Sequence, residues 1–284
     1  MNQKLTTRDV ALLKDVYQYR YLSTSQLRGL HFPSEKTTWR RLVKLTRLGF
    51  IKPFSVVSIP EYIYHLDKKG AEVVACELEA EVEDIWNRRT NQPKDYFFIR
   101  HFLAINDFWI LLKQTCPKHD MELVKFVPEY YGEKTEEKHV KRVIRLDYTF
   151  GKGHTPDAIF SLRKNGKTAL FFLEIDRGSE VVSDPERGLL KAVVFYLNYW
   201  TSQKWKQHSP FFGDDFKTFR VLIITTSKQR IHHLREATTA YPFHDSHAKR
   251  FLWATTEQEA TEDWLFESIW QSLELSDSSL YRIG

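Results

Sequence analysis

The chain has 284 residues, 42% of them hydrophobic and 28% charged, with net charge +5 and a pI near 9.0. That length suggests two domains and that composition an ordinary globular protein. Its two cysteines, Cys76 and Cys116, stand far apart, which argues against a disulfide framework and for a reducing compartment. The start MNQKLTTRDV has no apolar signal core and no run approaches a membrane span, so the expected location is the cytoplasm, with no membrane partner.

Charge is uneven along the chain. Residues 1–70 hold 13 Lys/Arg against 5 Asp/Glu, whereas residues 71–95 hold 3 against 7. A basic head followed by an acidic segment points to a polyanion partner for the head. Within it, Thr6 or Thr7 can cap a first helix, with Asp9 in its first turn and Val10, Leu12, Leu13, Val16 and Tyr17 at helical spacing. Ser23-Thr24-Ser25 offers a second cap, for SQLRGL. A third helix, EKTTWRRLVKLTRLGF, begins after Pro33-Ser34 and stops at Gly49. Thr38, Trp39, Leu42 and Leu45 are expected on its inner side. Lys36, Thr37, Arg40, Lys44 and Arg47 are expected on its outer side. FSVVSIPEYIYHLDKKG then reads as two short β-runs around Pro60-Glu61.

Three short helices and a hairpin describe a winged helix-turn-helix over residues 1–70, and TTWRRLVKLTRLGFIKP resembles the recognition helices of such proteins. The partner implied is double-stranded DNA, with the five outer residues on the contact face. Arg40 suits a bidentate contact to guanine, and Lys44 and Arg47 suit phosphate. Arg41 lies between the faces. A winged helix that binds protein is the alternative reading.

Residues 71–93 read as an acidic helical connector, and a second domain is expected over 94–276. FFIRHFLAINDFWILLKQT is an apolar helix interrupted by His101 and Asn106. MELVKFVPEY, ending at Glu129, and KRVIRLDYTF are strands around the loop GEKTEEKH. Asn165-Gly166 is a strong hairpin signal, because both residues of a type I′ turn take positive φ. Pairing Lys164 with Lys167 sets Phe160 opposite Phe171, Ala158 opposite Leu173 and Asp157 opposite Glu174. Period two puts Asp176 on the face of Glu174. Three carboxylates at one rim repel each other unless a hard cation such as Mg²⁺ or Mn²⁺ joins them, with Glu129 an outer ligand. Solvated strand ends are the alternative. ERGLLKAVVFYLNYWTSQ reads as a helix with Leu190, Val193, Val194 and Leu197 inward and Lys191 and Tyr196 also on it. FRVLIITTSKQRIHHLREAT is a strand and a helix, KRFLWATTEQEA a last strand, DWLFESIWQSLEL a terminal helix, and residues 277–284 a frayed tail. His232, His233, His244 and His247 show no metal-binding spacing.

The second domain is thus an α/β mixed sheet flanked by helices. Pro156-Asp157 followed by Glu174 resembles the PD-(D/E)XK nuclease superfamily, whose restriction-endonuclease-like fold holds Mg²⁺ on such acids. The resemblance implies catalytic roles for Asp157, Glu174 and Asp176. Asp176 stands where those enzymes carry lysine, and Lys191 on the next helix is the substitute cation. Over most of its length the chain resembles the replication-relaxation family of mobile-element proteins, in the winged-helix start, RHFLAINDFW, TPDAIFSL, LEIDRGSE and KAVVFYLNYW. That resemblance implies work on plasmid or integrative-element DNA at an origin of replication or transfer. Mobilisation or replication proteins and a second copy of the chain are further candidate partners. Three functions follow: a DNA-binding protein with a non-catalytic nuclease-like body, a metal-dependent endonuclease or nickase, and a transcriptional repressor with a ligand-sensing body.

Overall fold

The computed structural model describes residues 5–86, 96–134, 140–142, 144–149, 152–179, 181–212, 214–243 and 246–284. Residues 87–93 of the expected connector, Lys94 at the expected domain start, 135–139 of the GEKTEEKH loop, and His244 lie outside them, as does the side chain of His247. The chain packs as two units, residues 1–107 and 108–284.

Unit one opens with α1 (Thr7–Tyr19), whose Thr6 cap and Asp9 form a reciprocal capping box. Strand β1 (Leu22–Ser23) leads into α2 (Thr24–His31), capped by Ser23 with Gln26 closing a second box. Helix α3 (Glu35–Arg47) starts at Ser34, whose hydroxyl accepts from the Thr37 amide. Such caps are each worth about 1 kcal/mol. Thr38, Leu42 and Leu45 form its buried side, each buried leucine stabilising by roughly 1.5–3 kcal/mol. Trp39 departs from expectation. It is 63% exposed, because its place on the helix lies beyond the arc that Thr38, Leu42 and Leu45 bury. The helix ends where Gly49 takes φ 78°, with the Phe50 amide returning to the Leu45 carbonyl.

Strands β2 (Ile51–Phe54) and β3 (Ile63–Leu66) pair antiparallel, and β1 joins them in the order β1-β3-β2. Helix α4 (Lys68–Leu78) packs on α1, and α5 (Val82–Ile85) follows. At Gly70 a Cβ would sit 2.1 Å from the Phe50 carbonyl oxygen, so this close approach needs glycine. Helix α6 (Tyr96–Thr115) carries the boundary between the units. Its first part completes unit one: the Asn106 amide donates to the Tyr19 and Tyr21 carbonyls at 3.0 and 2.8 Å, and Gln26 donates to the Leu103 carbonyl and the Asp107 carboxylate. The polar interruption in an apolar helix thus satisfies the turn after α1.

Unit two holds β4 (Glu122–Pro128), two small ribbons, β5 (Gly132–Lys134) with β6 (Val140–Arg142) and β7 (Leu146–Thr149) with β8 (Lys152–His154), then β9 (Ala158–Lys164) and β10 (Lys167–Ile175). Helix α7 (Gly188–Ser202), the short α8 (Ser209–Phe212), β11 (Phe219–Thr225), α9 (Lys228–Ala240), β12 (Leu252–Thr256), β13 (Trp270–Ser272) and β14 (Leu280–Tyr281) complete it. Among the described residues seven strands form one mixed sheet, ordered β14-β13-β12-β11-β10-β9-β4, with β10, β11 and β12 parallel. Its core joins Leu170 and Phe172 of β10 to Val193, Tyr196 and Tyr199 of α7 and to Ile231 and Leu234 of α9. On α7, Leu190, Val193 and Leu197 are buried as expected, and Val194 is half-buried.

The C-terminus departs from expectation. DWLFESIWQSLEL forms turns and then β13, not a helix. Trp270 and Ser272 alternate inward on β13, and the Trp270 indole donates to the Leu265 carbonyl at 3.1 Å. Apolar residues in this stretch fit periods of both two and 3.6, and pairing with β12 selects two. The tail is not frayed: β14 pairs with β13, Tyr281 stacks on Trp253 with centroids 5.0 Å apart, and Ile283 is buried.

Candidate functional site

Two features stand out, one in each unit. In unit two it is the open end of the β9–β10 hairpin. Asn165 and Gly166 take φ 49° and 73°, and Lys164 pairs with Lys167, Phe160 with Phe171 and Ala158 with Leu173, the expected register. The same edge carries the C-terminal ends of parallel β10, β11 and β12, where open α/β sheets place their ligand crevices.

Asp157 is buried and held by backbone. Its amide donates to the Leu173 carbonyl, its Oδ2 accepts from the Ile175 amide at 2.6 Å, and its carbonyl accepts from the Glu129 amide at 2.8 Å. Glu129, half-buried just past β4, thus stands beside Asp157 on the neighbouring strand. Glu174 Oε1 accepts from His154 Nε2 at 2.7 Å and from the Tyr196 hydroxyl at 2.5 Å. The His154 ring also packs against Phe195 and Tyr196, with centroids 5.2 and 5.4 Å away.

Asp176 turns to other partners. Its carboxylate takes a two-pronged contact from Arg230 at 2.6 and 2.9 Å, a hydrogen bond from the Thr225 hydroxyl at 2.6 Å and one from the Gly178 amide at 2.9 Å. Both oxygens are engaged, and the geometry is that of a guanidinium–carboxylate fork. Arg177 with Glu257 (2.7 Å) and Lys228 with Glu259 (2.8 Å) add two more ion pairs at the ends of β10 and β12.

The expected carboxylate rim is therefore divided. Burial raises the Glu174 pKa and the nearby Asp157 charge adds to it, and Glu129 is beside Asp157. Asp176 belongs to an arginine. Among the described residues no three His, Cys, Asp or Glu side chains are grouped to hold a metal ion. With Asp176 committed to Arg230 and Thr225, the three carboxylates are not presented together to a single Mg²⁺ or Mn²⁺ ion.

The arrangement can hold a proton. Burial lowers the affinity of His154 for a proton, but the charge and hydrogen bond of Glu174 outweigh it, and the net shift is upward. Burial raises Glu174, against the opposing pull of His154. Burial and the Glu174 charge push the Tyr196 hydroxyl well above its ordinary range, so it remains a donor. Lys191 is exposed on α7, and its charge reaches His154, lowering that pKa. His154 and Tyr196 were not among the expected site residues. Tyr196 was legible only as a polar tip on an apolar helix, and His154, on an irregular ribbon, gave no periodic signal.

In unit one the feature is the outer side of α3. Lys36, Thr37, Arg40 and Arg47 are exposed, and Lys44 is half-buried. The Thr37 hydroxyl donates to the Ser34 carbonyl at 2.8 Å, a local role at the cap. Arg41 turns away to make a two-pronged contact with the buried carboxylate of Asp9 on α1, which settles its place between the faces. This neighbour, with the Thr6 hydrogen bonds, holds Asp9 below its ordinary pKa despite burial.

No helix of the described residues is long and apolar enough to cross a membrane. Neither a curated protein nor a solved structure matches the chain. A family model described as replication-relaxation matches residues 13–214, from within α1 to just past α8. That span includes α3, His154, Asp157, Glu174, Lys191 and Tyr196, and leaves out Thr225 and Arg230. The match covers well over half of the sequence, and the chain belongs to the replication-relaxation family, which suggests a role in plasmid replication or mobilisation.

Proposed function

We propose that this is a double-stranded-DNA-binding protein of a plasmid or integrative element, acting at an origin of replication or transfer through a winged helix in unit one. The observation that carries this reading is the outer side of α3, where Lys36, Arg40 and Arg47 face water in a helix followed by a β2–β3 hairpin. The element order α1-β1-α2-α3-β2-β3 suits a helix laid in the major groove with the hairpin alongside it. Arg40 is the base-reading candidate, and Lys44 and Arg47 are the phosphate contacts.

The body of unit two, with its hairpin acids and α7, supports a nuclease-like ancestry with docking rather than cutting as its present role. Arg230 occupies the Asp176 carboxylate, and His154 and Tyr196 occupy Glu174 Oε1. The experiment is a binding and nicking assay on supercoiled plasmid carrying the element's own origin, with Mn²⁺ present. Salt-sensitive binding with intact supercoils is the expected result. Metal-dependent open circles that vanish in both Asp157→Ala and Glu174→Ala would replace docking with strand cleavage.

A further inference from the structure

The most exposed large aromatic side chain of the described residues is Trp39, at 63%, in the middle of α3. Trp264 is also exposed, at 57%, whereas Trp205 and Trp270 are fully buried and Trp109 and Trp253 nearly so. Val43 stands one turn after Trp39 and is half-buried. At 100° per residue the two share one side of the helix. Lys36, Arg40 and Arg47 lie along one side of this pair, and Glu35 stands one turn before Trp39.

Among the described residues nothing in the packing of α3 needs a tryptophan there. The helix is held by its Ser34 cap, by Thr38, Leu42 and Leu45 on the inner side and by Arg41 on Asp9. At an exposed helical position tryptophan is also a poorer helix former than alanine, lysine or glutamate. An apolar strip bordered along one side by three cations suits a surface that offers apolar groups beside a row of negative charges. The major groove of duplex DNA is such a surface, because thymine presents its 5-methyl group there between phosphate rows.

We propose that Trp39 and Val43 read thymine, packing on 5-methyl groups in the major groove while Lys36, Arg40 and Arg47 hold the neighbouring bases and phosphates. This deepens the DNA-binding reading and rests on it. It assigns to Trp39 a specificity role that arginine contacts alone would not supply.

The test begins with the full chain selecting duplexes from a random pool. The selected duplex is then remade with deoxyuridine in place of thymine, one position at a time, which removes only the methyl group. Affinity is measured by fluorescence anisotropy at one fixed salt concentration for wild type, Trp39→Ala and Trp39→Phe, with circular dichroism confirming that each variant is folded. Wild type should lose about fourfold at one or two thymines, the equivalent of one buried methyl. Trp39→Ala should bind more weakly and be indifferent to uracil at one of those positions, while Trp39→Phe keeps part of the sensitivity. Equal losses in wild type and Trp39→Ala overturn the proposal, as does indifference of wild type to every replacement. Duplex binding that is salt-dependent but methyl-indifferent removes the role of Trp39 and leaves the DNA reading standing. Failure of wild type to bind any duplex overturns both.

Discussion

On α3, Lys36, Arg40 and Arg47 stand in water, whereas at the open end of the β9–β10 hairpin Asp157, Glu174 and Asp176 are all buried and each is held by donors of its own unit. The first arrangement leaves charge available for an outside partner. The second spends it inside the fold. Sequence shows both as clusters of like charge, and only packing tells them apart. Substitutions on α3 should therefore cost binding and spare stability, and substitutions at the sheet end should do the reverse.

The largest effect is expected at Asp176. Removing its carboxylate leaves Arg230 mostly buried and the Thr225 hydroxyl without its acceptor. Breaking such a pair from one side costs about 3–5 kcal/mol, and since the Arg230 side chain is 19% exposed the lower end is expected. Urea unfolding of Asp176→Ala should show it as a lower midpoint at unchanged slope. A loss under about 1 kcal/mol would mean that this carboxylate is as replaceable as a surface acid, and the contrast with α3 would fail.

His208 gives the next largest effect and extends the comparison to pH. Its Nε2 meets the Tyr199 hydroxyl at 2.9 Å, Gln207 donates to that same hydroxyl, and burial brings the His208 pKa from 6.5 down to about 4. A depressed histidine is neutral in the fold while the unfolded chain takes up protons. Its contribution is thus intact above about pH 6.5 and is lost as pH falls toward 4. The loss amounts to about 3 kcal/mol over that window. Thermal unfolding from pH 7 to 4 should show it, and His208→Gln should flatten that part of the profile. An equal acid sensitivity in the variant would assign the loss to other groups.

On α3 the expectation inverts. Arg40→Ala should leave stability within about 0.5 kcal/mol of wild type, as exposed positions do. It should weaken binding to a selected duplex by about 1–3 kcal/mol and relax preference at one base pair. Lys44→Ala should weaken all duplexes alike and reduce the salt slope by about one. Unchanged binding in both would remove α3 from the interface.

Much of this was legible beforehand where local chemistry dictates geometry. Asn165-Gly166 imposed its turn, and the turn imposed the whole hairpin register. The inner side of α3 followed from Thr38, Leu42 and Leu45, but Trp39 was grouped with them because it is apolar, and exposure depends on what the neighbouring elements cover. The division of the carboxylates was not legible, because it turns on Arg230, which lies 54 residues beyond Asp176 and meets it only when β10 and β11 pair. His154 was hidden for the same reason. Its ribbon has no strong pattern, and its partner is 20 residues away. The terminal strands escaped because a short apolar stretch has no fixed period until a sheet edge supplies one.

The smallest expected effect concerns His154 and Glu174, and it separates a proton-holding pair from the simple buried base at His208. Burial works against the charged imidazole at His154, but Glu174, with Asp157 in support and Lys191 opposing, carries its pKa upward. The fold therefore binds this proton more tightly than the open chain does. The stabilisation is complete below about pH 6.5, where the unfolded imidazole is protonated too, and it fades as pH rises through the folded pKa. Glu174, raised chiefly by burial, has the same sign, favouring the fold at lower pH. Wild type should thus lose stability on the alkaline side of 6.5, opposite in direction to the His208 effect, and His154→Gln should remove most of that slope while its amide retains a hydrogen bond to Glu174. NMR titration of the His154 ring gives the direct reading. A pKa below 6.5 would mean that burial wins over Glu174, and Glu174 would then face a neutral imidazole while Asp176 keeps the Arg230 guanidinium.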